Sequence, residues 1–217
     1  MTRQRSPDLL VTGFGPFPHV RVNPTAGLAR DVATSLRRAG MAAEALVLET
    51  SYAGGLPALR GHLAETKPRA VLMLGLAARA RFVRVELFAR GRSSRLHADA
   101  RGGGPAAAAP GRSLPQRTSV SAGTALAALQ RAGIRARTSP SAGRYLCDAS
   151  YALALGACDR CVPVIFIHVP WLRPMPGLRP PGTVGAFRPG RERLIAALAA
   201  MGRRLAMAGR SPPGPAR

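Results

Sequence analysis

Apolar residues along this chain fall into short blocks separated by amphipathic stretches, and two periodicities take turns. Residues 8–13 form an apolar run ended by Gly13, the pattern of a strand buried on both faces. A helical period follows. Asn23 is a good cap, Pro24 is tolerated in a first turn, and the helix runs to about Arg38 before Gly40 stops it. Residues 42–49 read as a second strand, 55–66 as a helix with Leu56, Leu59 and Leu63 at helical spacing, and 70–74 as a buried strand ending at Gly75. In 82–88 the residues Phe82, Arg84, Glu86 and Phe88 share one face, and Val83, Val85 and Leu87 the other, so the segment is a strand and carries Glu86. A helix over 122–131, a short strand over 134–138, a helix over 145–155, a central strand over 162–169 and an amphipathic helix over 192–208 complete the series. Strands alternating with helices predict an α/β fold whose mostly parallel sheet is covered on both faces.

Two segments interrupt the pattern. Residues 90–120 are rich in Gly, Ala, Pro and Arg, and 101–105 with the alanines that follow read as a mobile loop. A loop this long inside a domain is functional or disordered. Residues 174–189 are a second Pro/Gly-rich stretch, and 211–217 read as a disordered tail. Without an internal repeat or a boundary, residues 1–210 are expected to form a single domain. No apolar run reaches the roughly 20 residues needed to span a bilayer. The basic segment 1–7 leads into a short strand and not into a signal peptide, so a cytoplasmic location is expected.

Composition adds less than its extremes suggest. The chain has 217 residues, 47% of them hydrophobic, enough for one sizeable core. The net charge of +22 points first to nucleic acid. Yet Lys67 is the only lysine, and the arginines are spread through an Ala-, Gly- and Pro-rich chain without forming a stripe. That fits a compositionally biased basic surface, with non-specific attraction to polyanions and no specific nucleic-acid partner. Three cysteines in a chain of this length are not a disulfide framework, which fits a reducing compartment and free thiols. Cys158 and Cys161 form a CxxC pair, but a structural zinc site needs four ligands and no second pair exists. Cys161 also heads the 162–169 strand, so no metal site is expected.

Sites in open α/β sheets gather at the carboxyl ends of the strands. Three segments converge there: Gly13-Phe14-Gly15-Pro16-Phe17 after the first strand, His168 near the end of the 162–169 strand, and Cys147 in the first turn of the helix after Thr138. A helix N-terminus offers partial positive charge and unpaired N–H groups. Both favour a thiolate and can receive an oxyanion. An imidazole can act as general base and acid, and a carboxylate such as Glu86 can fix its tautomer. Each residue has a plainer reading: Cys147 as a small core residue, His168 as a structural histidine between Ile167 and Val169, Glu86 as the partner of an arginine. Together they are the parts needed for acyl transfer by a thiol.

The run Val11-Thr12-Gly13-Phe14-Gly15-Pro16-Phe17, with Val22-Asn23-Pro24-Thr25 after it, resembles the opening motif of the pyroglutamyl-peptidase I family. These are cysteine peptidases that remove N-terminal pyroglutamate. Ser141-Ala142-Gly143 with Tyr145-Leu146-Cys147 is similar to the family's nucleophile motif, and Phe166-Ile167-His168-Val169-Pro170 to its histidine motif. Gly75-Leu76-Ala77, followed by Glu86, resembles its glutamate segment. The likeness reaches from Leu9 to about Trp171. It implies a three-layer α/β/α sandwich with Cys147 as nucleophile, His168 as general acid and base, and Glu86 as the orienting acid. It implies that Phe14 and Phe17 flank the pyrrolidone ring, with Asn23 and Leu76 at the same pocket. The implied reaction passes through a Cys147 thioester, needs no metal or organic cofactor, and acts on peptides with N-terminal pyroglutamate. No membrane partner is implied, and the family includes multimers.

The chain departs from the family pattern at Arg79-Ala80, Leu87, Gly91, Pro140 and the run Trp171-Leu172-Arg173-Pro174. With the high charge, these departures leave a second reading open: a degenerate member with weak or no turnover and a polyanion-binding surface.

Overall fold

The structure is a computed structural model describing residues 6–91, 93–94, 96–105, 114–173 and 188–209. Six strands form the central sheet: β1 (Leu9–Phe14), β2 (Ala43–Leu48), β3 (Val71–Leu76), β4 (Val83–Glu86), β7 (Ala136–Ser139) and β8 (Val164–Val169), in the order β2-β1-β3-β8-β4-β7. A separate two-stranded ribbon pairs β5 (Phe88–Ala89) with β6 (Gln116–Arg117). The helices are α1 (Pro24–Arg38), α2 (Gly55–Thr66), α3 (Ala122–Arg131), α4 (Leu146–Ala157) and α5 (Arg191–Ala208).

Side-chain parity along the strands sorts two cores. Leu9, Val11, Leu72, Leu74, Val83, Val85, Ile165 and Ile167 pack with α1, α3 and α5. Leu10, Phe14, Val71, Met73, Val164 and Phe166 pack with α2 and α4. The expected three-layer α/β/α sandwich is therefore present. Most neighbours are parallel, but β4 runs antiparallel to β8, with β7 parallel to β4.

Local chemistry sets the element ends near the site. Asn23 caps α1, its Oδ1 accepting from Thr25 N at 3.1 Å, and Pro24 occupies the first turn. Gly40 leaves α1 at φ +79°, a conformation glycine adopts without strain. Gly13 lets the end of β1 press on α1, because a Cβ there would lie 2.2 Å from Thr25 O.

The strand expected over 82–88 is split. Leu87 N donates to Ser139 O in β7, whereas Leu87 O accepts from Thr118 N beside β6. The backbone thus leaves the large sheet at Leu87 and joins the small ribbon. The strand expected over 134–138 begins two residues later, and Ile134 packs into the first core. The glycine-rich run 101–105 is fastened by Asp99, which accepts from Arg101 N and Gly103 N. The following alanines, most of the 174–189 segment and the tail 211–217 lie outside the described residues.

Candidate active site

Strand parity aims the histidine. Val164 and Phe166 point into the α2/α4 core, and His168 continues that face. Cys147 is the second residue of α4, which begins on the same side of the sheet. Tyr145 occupies the cap position in an extended conformation, but its side chain makes no cap. Its hydroxyl instead donates to Ala98 O at 3.0 Å. The first turn of α4 is thus left without a side-chain acceptor at its N–H groups.

The antiparallel β4–β8 register pairs Arg84 with His168 and Glu86 with Phe166. Glu86 therefore lies on the same face as His168, one pair deeper. Its Oε1 sits 2.8 Å from His168 Nδ1, with Glu86 fully buried. This contact leaves Nε2 as the ring nitrogen available to a thiol, the orientation that proton transfer requires. Oε2 of Glu86 is buried and has no hydrogen-bond partner. The carboxylate is thereby committed to the imidazole.

The His168 pKa is raised to about 9. Burial alone would lower it; the charge and hydrogen-bonding reach of Cys147 overcome that, with further help from the hydrogen bond and charge of Glu86. Below the ring, Phe166 meets His168 in a tilted contact, 4.8 Å between centroids, and Tyr151 meets Phe166 likewise at 5.5 Å. The Tyr151 hydroxyl donates to Glu86 O at 3.3 Å. Gly75, paired with His168 across β3, completes the support: a Cβ there would lie 2.7 Å from the Phe166 ring and 2.9 Å from His168 Cδ2.

The other sequence-predicted residues sit around this centre in different ways. Phe14 is buried in the second core, against which Cys147 also packs. Phe17 is half-buried, and its backbone bridges to Val20. Asn23 is buried with both ends of its amide engaged, Oδ1 at Thr25 and Nδ2 at Gly15 O, 3.1 Å away. It shapes the Phe14–Phe17 loop. Leu76 is half-buried at the end of β3 beside Val169.

Two residues escaped sequence reasoning. Asp99 is 2% exposed and accepts from Tyr52 N, Arg101 N and Gly103 N at 2.8–2.9 Å. Tyr52, in the loop after β2, meets Tyr145 edge-on and packs against the cluster that holds Phe14. Its place at the carboxyl end of a parallel strand was a usable signal.

All three cysteines are free. Cys161 is exposed in the turn before β8, so it does not head a buried strand as expected. Burial, reinforced by Asp159, pushes the Cys158 thiol up to about 11 and keeps it protonated at neutral pH. Among the described residues no group of three His, Cys, Asp or Glu could hold a metal ion. No helix among them is long and apolar enough to cross a membrane.

Residues 7–178 match the family described as pyroglutamyl peptidase. A pyrrolidone-carboxylate peptidase of Gloeobacter violaceus is 32% identical over 184 residues, covering 80% of this chain and 86% of the relative. One of Streptomyces coelicolor is 34% identical over 209 residues, covering 88% and 91%. The crystal structure of pyrrolidone carboxyl peptidase from Thermus thermophilus superposes with a TM-score of 0.75 at 30% identity, covering 93% of this chain and 99% of that one.

Proposed function

The chain belongs to the pyroglutamyl peptidase family, and from that premise we propose that it hydrolyses the amide bond following an N-terminal pyroglutamyl residue of a peptide. The observation that carries the reading is the buried His168–Glu86 contact at 2.8 Å, with Cys147 coupled to the same ring from the first turn of α4.

The Cys147 thiolate attacks the pyroglutamyl carbonyl carbon. The oxyanion develops at the start of α4, where N–H groups and the helix dipole receive it. His168 gives the Nε2 proton to the leaving amine as the C–N bond breaks, and a thioester remains. A water then loses its proton to His168 and attacks the thioester. Pyroglutamate departs, and the sulfur leaves as thiolate beside the reprotonated ring. Glu86 holds the ring in place throughout, as imidazolium before the amine leaves and as neutral imidazole after it.

Specificity follows from neutrality. With Phe14 and Phe17 flanking the ring, as the family resemblance implies, a lactam brings no charge to an apolar surface where a free α-amino group would be desolvated. Two of the departures from the family pattern, Leu87 and Pro140, are compatible with turnover. Leu87 acts through its backbone, and Pro140 offers its carbonyl to Arg90 Nε at 3.1 Å. Neither role depends on the side chain that replaced the family residue. Three free cysteines support a reducing, cytoplasmic setting.

The test is release of a fluorophore from a pyroglutamyl amide by wild type and Cys147→Ala. Turnover in the wild type and none in the variant is expected. Equal rates in the two would overturn the assignment.

A further inference from the structure

The loop Thr50-Ser51-Tyr52 is tied to both halves of the site. Thr50 Oγ1 donates to Gly15 O at 3.0 Å, the carbonyl that also receives Asn23 Nδ2. This fastens the Tyr52 loop to the segment carrying Phe14 and Phe17. On the other side, Ala100 N donates to Thr50 O at 2.9 Å and Tyr52 N to Asp99 Oδ2 at 2.8 Å. The Tyr52 and Tyr145 rings meet edge-on, 6.0 Å apart at 89°, and Tyr145 precedes the Leu146-Cys147 turn directly. Tyr52, Tyr145 and Cys147 all pack against the cluster that contains Phe14 and Phe166. Tyr52 thus stands between the ring-binding loop and the helix that carries the nucleophile.

Its phenol oxygen is buried and makes no hydrogen bond of acceptable geometry. The Ser93 side chain exerts a hydrogen-bonding pull on it, without the geometry that closes a bond. Burial, and then the negative charges of Asp99, Cys147 and Asp148, raise the phenol pKa above its ordinary value, against an opposing pull from Ser93. Tyr52 is therefore a proton-bearing donor at neutral pH. A buried donor without an acceptor is unusual enough in a folded protein to want a ligand. The neighbouring acceptors are already in use: Gly15 O by Thr50 and Asn23, Ala98 O by Tyr145, and Asp99 by three backbone N–H groups.

We propose that the Tyr52 hydroxyl donates a hydrogen bond to the lactam oxygen of the pyroglutamyl ring and so helps determine specificity at this site. The inference rests on the pyroglutamyl reading above. The lactam oxygen is assigned, and not the reacting carbonyl, because the reacting carbonyl meets the start of α4 while Tyr52 is anchored to the Phe14–Phe17 loop. Asp99 is a positioning residue in this arrangement: it holds the backbone from which Tyr52 projects.

Tyr52→Phe removes only the hydroxyl and keeps the edge-on ring. Three measurements decide the matter: kcat and KM on a pyroglutamyl fluorogenic amide, inhibition by the bare lactam pyrrolidin-2-one, and the melting temperature. The expected result is a loss of about tenfold or more in kcat/KM, carried by KM, with a matching weakening of lactam inhibition and an unchanged melting temperature. Ser93→Ala should behave as wild type. A Tyr52→Phe enzyme within about twofold of wild type in kcat/KM overturns the proposal. So does a loss confined to kcat with lactam inhibition intact, which would move the donor to the reacting carbonyl. A Ser93→Ala enzyme that reproduces the loss would make the phenol a structural partner of Ser93 and also overturn it. Wild type without Cys147-dependent turnover defeats the pyroglutamyl reading and this inference together; an active wild type matched by Tyr52→Phe defeats this inference alone.

Discussion

Gly75→Ala isolates how tightly the His168 imidazole is held. Gly75 is not among the positive-φ glycines, so an alanine is free to adopt its backbone and the perturbation is steric. The new methyl would lie 2.7 Å from Cε1 and Cζ of Phe166 and 2.9 Å from Cδ2 of His168, where ordinary contact is 3.4–4 Å. One ring or both must retreat by roughly half an ångström or more. Phe166 has little room, since it is fully buried with the Tyr151 ring in tilted contact at 5.5 Å. Overpacking of this kind costs about 1–3 kcal/mol. At about 2–4 °C per kcal/mol for a chain of this size, melting should fall by roughly 2–12 °C. The kinetic effect should be larger than the stability effect. The imidazole has to stay within reach of both Glu86 Oε1 and the sulfur, and a displacement near 1 Å costs on the order of 100-fold. The assay is kcat/KM on a pyroglutamyl amide beside a thermal melt. Gly61→Ala in α2 is the control, because its Cβ meets nothing within 4 Å. It should leave turnover unchanged and raise stability by about 0.5–1 kcal/mol. A Gly75→Ala enzyme with wild-type kcat/KM and melting temperature would refute the claim that the ring is wedged in place.

The raised His168 pKa makes stability depend on pH in a stated direction. Protonation favours the folded state fully below the unfolded value of 6.5, and this contribution is lost as pH rises through about 9. Unfolding free energies from urea titrations should therefore fall between about pH 7 and 9, by an amount not exceeding about 3 kcal/mol. Cys147→Ala should flatten that fall, and an unchanged slope in the variant would remove Cys147 as the main cause of the raised pKa. Asp99→Ala strips the acceptor from three backbone N–H groups and should raise KM more than it lowers kcat, with a melting loss of a few degrees. Asp99→Asn, which retains one acceptor oxygen, should recover part of both; no recovery would mean that the negative charge matters more than the geometry. Phe14→Ala should cost about 3–5 kcal/mol of stability because that ring is buried in the core. Phe17→Ala, at a half-buried position, should raise KM with little change in melting, and an unchanged KM would take Phe17 out of the ring clamp.

What could be read from the sequence divides along the range of the interactions. Buried parallel strands announce themselves as unbroken apolar runs, so β1, β3 and β8 were legible, and His168 with them. The Asn23-Pro24 start of α1 and the place of Cys147 in the first turn of α4 are equally local. Glu86 was legible only in part. Alternation put it on a strand face, but the face matters only through pairing with β8, and periodicity is the same for parallel and antiparallel neighbours. The antiparallel register brings Glu86 to His168, and a slip of one residue would turn it into the opposite core. The split at Leu87 was invisible because it depends on two distant backbone partners, Ser139 and Thr118. Asp99 was hidden for the same reason: it lies in a stretch whose composition reads as loop, and its Tyr52 partner is 47 residues away. Catalytic side chains must recur in type and order for the chemistry to work, so a motif can carry them. The loops that carry Phe14, Phe17 and Tyr52 are tied together through backbone N–H and carbonyl groups, which almost any sequence supplies. Substrate grip should therefore be tested at side chains that such backbone contacts orient, Tyr52 first, where Tyr52→Phe removes one hydroxyl and leaves Cys147, His168 and Glu86 unchanged.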